Sequence, residues 1–179
     1  MPPTYLARPN AFAAAECDAI VALGAAAPVE AGPVFIAAAY GIDPDSRNVR
    51  ATLHARADAP AWLFDRLDAL FAEGARAFGL AVGPMAEPLQ ILRYAEGCHF
   101  TRWHTDSGLD RRDERKVSLS IELSEPGDYE GGVLEVMPDT VARPRALARG
   151  GAHLFPSRAL HRVGPVTRGV RWALVAWTG

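Results

Sequence analysis

Beyond about Gly83 the chain breaks into short runs of alternating apolar and polar residues, separated by Gly, Pro and Asp. They read "EPLQILRY", "HFTRWHTD", "RKVSLSIELS", "GGVLEVM", "GAHLFPS", "HRVGPV" and "VRWALVAWTG". A period of two is that of strands with one buried face, and about seven such strands in succession predict a sandwich or barrel. The first 83 residues differ. In "NAFAAAECDAIVALG", Asn10 is placed to cap a helix and Gly24 to end it. A clearer helix lies in "DAPAWLFDRLDALFAEGARAFG", where Leu63, Leu67, Leu70, Phe71 and Phe78 recur at helical spacing between Pro60 and Gly79. "PVFIAAAYG" and "NVRATLHAR" read as strands joined by a polar loop. The expected class is α+β, one domain over residues 1–179, with 1–83 a supporting region and 84–179 a β core that carries the active site.

Bulk properties narrow the function. Half the residues are apolar and the net charge is −2, which fits a folded globular chain and argues against a nucleic-acid partner held by a general basic field. Cys17 and Cys98 lack the short spacing of a metal knuckle or redox pair. "MPPTYLARPNAF" lacks the layout of a secretory signal, and no apolar run reaches membrane-spanning length. The expectation is a cytoplasmic protein with no membrane partner.

Among the polar residues, "RWHTDSG" places Asp106 two residues after His104. With 21 acidic residues in 179 and five histidines, composition alone produces such a pair about half the time. The surroundings carry more weight. On a strand, His104 and Asp106 share a face while Thr105 points away, so an imidazole and a carboxylate can converge on one ion. A second imidazole would complete the two-histidine, one-carboxylate set that leaves open positions on ferrous iron. His54, His99 and His153 read as ordinary surface or core residues.

His161 differs, because "GPVTRG" separates it from Arg171 and reads as a turn that folds the next strand back antiparallel. Both side chains can then look into one cavity. A buried arginine needs an anion, and a small dicarboxylate spanning metal and guanidinium would supply it. Arg171, Ala173, Val175 and Trp177 share a face, which leaves room for a ligand walled by Trp177. Ser118, Ser120 and Glu122 share another face, which meets either water or a polar cavity.

These stretches resemble a known family. "QILRYAEGCHFTRWHTDSG", "RKVSLSIELSEPGDYEGGVLEV" and "LFPSRALHRVGPVTRGVRWALVAW" are similar to the Fe(II)- and 2-oxoglutarate-dependent dioxygenases of the prolyl-4-hydroxylase-like branch, including bacterial PKHD-type hydroxylases. The likeness covers about Leu89 to Trp177. It implies a double-stranded β-helix of the jelly-roll, cupin-like kind, flanked by N-terminal helices. It further implies that His104, Asp106 and His161 hold iron and that Arg171 binds the distal carboxylate of 2-oxoglutarate, with Tyr94 and Ser118 as further partners of that carboxylate. "EGG" at Glu130 to Gly132 and "FPS" at Phe155 to Ser157 look like turns that shape the barrel. The interval from Tyr94 to His104 is one residue longer than the family's, so a bulge must absorb it if Tyr94 is to keep its place.

The implied reaction is hydroxylation of a peptide, a protein side chain such as proline, or a free amino acid. It consumes 2-oxoglutarate and O2, releases succinate and CO2, and takes ascorbate in support. Two alternatives remain open: a barrel that binds a metal or a 2-oxo acid without turnover, and a nucleic-acid demethylase. Loops 39–50 and 107–116 are placed to frame the mouth of the site.

Overall fold

The computed structural model describes residues 2–31, 34–36, 39–41, 43–107, 114–137 and 140–179. The supporting region contributes β1 (Leu6–Arg8), α1 (Ala14–Ala26), β2 (Glu30–Ala31), β3 (Val34–Ile36), β4 (Ala39–Gly41), β5 (Arg50–His54) and α2 (Ala61–Phe78). Then follow β6 (Leu89–Tyr94), β7 (Phe100–His104), β8 (Val117–Glu122), β9 (Tyr129–Gly131), β10 (Leu134–Met137) and β11 (Arg143–Arg145). The last four are β12 (Ala152–Pro156), β13 (Leu160–Val163), β14 (Val166–Gly169) and β15 (Arg171–Thr178).

Alternation sorts these strands into layers. A seven-stranded sheet runs β1-β12-β8-β15-β6-β5-β2, and a four-stranded sheet runs β11-β10-β13-β7. One apolar cluster packs Leu63, Leu67 and Phe71 of α2 against Leu119, Leu154 and Leu174 of the larger sheet. A second joins Leu92, Tyr94 and Phe155 of the larger sheet to Leu134, Val136 and Val163 of the smaller one. The result is helices, large sheet and small sheet in three layers. It matches the expected α+β class with a jelly-roll core, and β1, β2 and β5 of the supporting region complete the large sheet.

Four local expectations are corrected. Asn10 does not cap α1: it turns the chain with φ +57°, and the helix starts four residues later, where the Glu16 carboxylate accepts the Ala13 N–H at 2.7 Å. Gly24 does not end α1 but lies inside it, buried. The run "PVFIAAAYG" is two short strands, β3 and β4, paired with each other. Finally, "GPVTRG" is not a simple hairpin turn. Part of it is β14, paired with β9, and the chain crosses there from the small sheet to the large one, where β15 lies between β6 and β8. The helix α2 ends as expected at Gly79, φ +69°. Most of the charged segment at Ser107 to Lys116 lies outside the described residues.

The glycine inside α1 marks a contact with the sheet. A Cβ at Gly24 would lie 2.5 Å from Cγ2 of Ile91 and 3.3 Å from the Trp172 ring. In an exposed helix interior, Gly to Ala gains about 1 kcal/mol, whereas overpacking a core costs about 1–3 kcal/mol. The second effect dominates here. Gly24→Ala is expected to lower stability by about 1–2 kcal/mol in urea unfolding; a gain would contradict the close packing of α1 on β6.

Candidate active site

Two paired strands place two histidines side by side. His161 on β13 is the register partner of His104 on β7, and their ring centroids are 4.2 Å apart. Asp106 lies just beyond β7, where its N–H donates to the Ser157 carbonyl at 2.8 Å. The candidate ligand atoms of His104, Asp106 and His161 all fall within 4.8 Å of one another, the one such group among the described residues. Each imidazole is oriented by its own strand: Nδ1 of His104 lies 2.9 Å from the Arg102 carbonyl, and Nδ1 of His161 lies 3.0 Å from the Ala159 carbonyl. A carbonyl only accepts, so both Nδ1 atoms carry hydrogen and both Nε2 lone pairs are free for a metal. Phe100 stacks on His104 at 3.7 Å between centroids, and Phe155 flanks His161.

The electrostatics suit a divalent cation. Burial, and then the neighbouring His161, push the His104 pKa down to about 3 against the opposing pull of Asp106. Burial raises the Asp106 carboxyl, but His161, His104, the hydrogen bond from Ser118 and the nearby Trp177 indole bring it down to about 2. The set is therefore a neutral imidazole and an ionised carboxylate beside a second imidazole, the donor chemistry of a two-histidine, one-carboxylate iron site. The Ser118 hydroxyl donates to Asp106 Oδ2 at 2.7 Å and lies 2.9 Å from the Ser157 hydroxyl. This departs from its expected place beside the distal carboxylate. Ser118 pairs in register with Trp177, whereas Arg171 lies at the other end of β15, about 20 Å of strand away. Trp177 walls the cavity as expected, and its indole lies close enough to Asp106 to help keep that carboxyl low.

Arg171 lines the same cavity, of about 910 Å3, as His104, Asp106 and His161. Tyr94 is its register partner on β6, and the guanidinium carbon sits 5.5 Å from the Tyr94 ring centroid. The expected bulge is present: the five residues of β7 from Phe100 to His104 oppose the three from Val163 to His161. The extra length is thus taken up after Tyr94, which stays beside Arg171. Small side chains at Ala173 and Val175, with Ser120 opposite, leave room above it; Ser120 faces the cavity, while Ser118 and Glu122 are buried against partners and none of the three meets bulk water. "EGG" is the end of β9 with Gly132 just past it, not the expected turn, and it lets Arg171 approach, since a Cβ at Gly132 would stand 3.1 Å from Arg171 Cδ.

The anion that Arg171 requires is already supplied within the chain. Glu122 accepts from Nε at 3.1 Å and from Nη2 at 2.9 Å, with both side chains buried. Nε2 of His153 lies 3.1 Å from Glu122 Oε1, and its Nδ1 lies 2.7 Å from the Tyr5 hydroxyl. From sequence, Glu122 shares a face with Ser118 and Ser120 that meets either water or a polar cavity and has no partner, and His153 reads as an ordinary residue. The signal was there in the shared inner face of β8 and β15: a buried glutamate needs a cation as much as a buried arginine needs an anion. His54 and His99 stay outside the site, bonded to Thr52 and Thr101. At the mouth, Arg47 from loop 39–50 lies over Phe100, and Arg115 pairs with Glu87 and lies over the Trp177 ring.

Removing the Ser118→Asp106 bond by Ser118→Ala is expected to weaken Mn(II) binding by roughly tenfold or more, read by titration of the purified protein. Unchanged affinity would mean that Asp106 is oriented by other groups. The acid limit of stability tests the deeper pair. Burial raises the Glu122 carboxyl, but Arg171, His153 and their hydrogen bonds hold it at about 2, below its ordinary 4.5. A depressed carboxylate stabilises the fold fully above its ordinary value and loses that contribution as pH falls through the folded one. Denaturant midpoints are thus expected to fall between pH 4.5 and about 2, and this component to vanish when Glu122→Leu and Arg171→Met are combined. An identical acid slope in the double variant would contradict it.

Comparisons with known proteins agree with this geometry. The model of the 2OG-Fe(II) oxygenase superfamily matches residues 89–179. A PKHD-type hydroxylase of Picosynechococcus sp. is 38% identical over 101 residues, 56% of this chain and 46% of that protein. A PKHD-type hydroxylase of Synechococcus elongatus is 39% identical over 93 residues, 50% of this chain and 41% of that one. The chain thus spans less than half the length of these curated relatives. In fold it is similar to the crystal structure of a Pseudomonas putida prolyl-4-hydroxylase (TM-score 0.73, 20% identity, 98% of this chain and 91% of that one). It is also similar to a Trichoplax adhaerens prolyl hydroxylase in complex with a hypoxia inducible factor peptide fragment (TM-score 0.76, 17% identity, 98% of this chain and 83% of that one). A family match over half the chain, together with a His-Asp-His cluster and a buried arginine in one cavity, makes this chain a member of the 2OG-Fe(II) oxygenase superfamily.

Proposed function

We propose that the chain hydroxylates a peptide or protein side chain, with proline the leading candidate, using Fe(II), 2-oxoglutarate and O2. The carrying observation is that His104, Asp106, His161 and Arg171 all line one cavity. In this reading His104, Asp106 and His161 hold the iron, and Arg171 with Tyr94 receives the distal carboxylate of 2-oxoglutarate. Bound Fe(II) with 2-oxoglutarate supplies oxidative decarboxylation coupled to O2 reduction, yielding succinate, CO2 and one oxygen atom for a substrate C–H bond.

The residues of this chain perform the positioning. Ser118 and Ser157 fix Asp106, while the carbonyls of Arg102 and Ala159 fix the imidazoles. Phe100 and Phe155 close the apolar wall around them. The hydroxylase names of the relatives support hydroxylation, and the peptide held by one structural neighbour supports a peptide substrate. The mouth adds a stacked Trp103–Arg162 pair near Leu160, a rim with apolar and charged surface for an extended chain. No helix among the described residues is long and apolar enough to cross a membrane. Two free cysteines, Cys17 and Cys98, support a reducing, cytoplasmic setting.

His104→Ala, Asp106→Ala and His161→Ala are each expected to abolish iron-dependent succinate formation with a peptide panel, and Arg171→Ala to raise the 2-oxoglutarate requirement. The assay reads succinate together with a one-oxygen mass gain on the peptide. Full activity of the His161 variant would overturn the ligand assignment, and a mass gain on nucleobases in place of peptides would overturn the substrate class.

A further inference from the structure

Arg171, which lines the cavity, already carries a buried carboxylate partner, which creates a charge problem for a dicarboxylate co-substrate. A guanidinium carries five N–H donors, and Glu122 takes the Nε and Nη2 side of Arg171. The remaining donors are available to a second anion in the cavity that Arg171 and Tyr94 line. Two carboxylates on one guanidinium leave a net negative charge in a buried site, and close like charges push a proton onto one of them. His153 is the titratable group in direct contact with Glu122. The other ionisable groups around the pair are Tyr94 of β6, Tyr129 of β9, Tyr5 next to β1, Arg145 of β11 over the Tyr5 ring at 3.8 Å, and Arg47 facing Tyr94.

We propose that Glu122 tunes selection of the 2-oxo acid: it shares Arg171 with the incoming distal carboxylate, and binding draws one proton from solvent onto the Glu122–His153 pair. The proton has two seats one hydrogen bond apart, a neutral Glu122 carboxyl or a His153 imidazolium. Either restores charge balance. The half-buried Tyr5 hydroxyl, bonded to His153 and next to the edge strand β1, continues the hydrogen-bonded chain from Glu122 toward the surface. The inference rests on the reading of Arg171 as the co-substrate anchor. A 2-oxo acid of equal length with a methyl end, 2-oxopentanoate, leaves the Arg171–Glu122 pair intact and requires no proton.

Calorimetry of the Mn(II)-loaded protein, in two buffers of different ionisation enthalpy between about pH 6 and 8, counts the protons. For the unsubstituted chain, 2-oxoglutarate is expected to take up a large fraction of one proton and to bind more weakly as pH rises, while 2-oxopentanoate takes up none. Glu122→Gln is expected to abolish the uptake and to tighten 2-oxoglutarate roughly tenfold relative to 2-oxopentanoate. Binding of 2-oxoglutarate without proton uptake, or an unchanged affinity ratio in the variant, overturns the proposal. If Glu122→Gln does not fold, the proton count on the unsubstituted chain decides alone. Absence of 2-oxoglutarate binding to that chain overturns the co-substrate reading itself, a result distinct from binding without uptake.

Discussion

Antiparallel pairing of β7 with β13 is the constraint on which the site depends. It sets His104 directly across from His161, two side chains whose sequence positions are 57 apart, and backbone carbonyls two residues back turn both rings the same way. Asp106 needs a different support, because it lies past the end of β7. "FPS" is the end of β12 and not a turn in itself; Ser157, just past that strand, supplies the support through its carbonyl and, by way of Ser118, its hydroxyl. A cluster of three metal-binding groups is thus held by two strand registers and one turn, with no ligand on an unsupported loop. That is the preorganisation a metal centre requires.

The second constraint is charge. The face shared by Ser118, Ser120 and Glu122 on β8 and by Arg171 on β15 is polar and buried, and each charged member has a partner. Burial lowers the Arg171 pKa, yet Glu122 more than offsets it and raises it above the ordinary arginine value. A buried pair of this kind costs desolvation of both ions, and losing one partner leaves a lone charge worth about 3–5 kcal/mol of destabilisation. The barrel therefore keeps its arginine only together with an internal carboxylate. An incoming dicarboxylate meets a site that is already neutral, which distinguishes this cavity from an empty cationic hole.

Much of this was legible in the residues. Strand alternation grouped the residues that share a face on β8 and on β15, leaving open whether the β8 group meets water, and the Leu63-to-Phe78 stripe marked α2, because periodicity reports which residues share a face. Resemblance singled out His104, Asp106, His161, Arg171 and Tyr94. What escaped was set by tertiary contact. Gly24 looked like a helix end but is a contact point for Ile91. "GPVTRG" looked like a hairpin turn but carries β14 across between sheets. Glu122 showed its face but not its partner, since cross-strand register joins residues 49 apart. Ser118 was drawn to the wrong end of the cavity for the same reason.

Anaerobic titration of the purified chain with Fe(II) and 2-oxoglutarate tests the central claim most directly, because a metal-to-ligand charge-transfer band forms only when a 2-oxo acid chelates iron held by the protein. One equivalent of iron per chain, and a band that needs both components and is lost with His161→Ala, is the result expected. No band, or a band that persists without His161, would contradict a metal centre built from His104, Asp106 and His161.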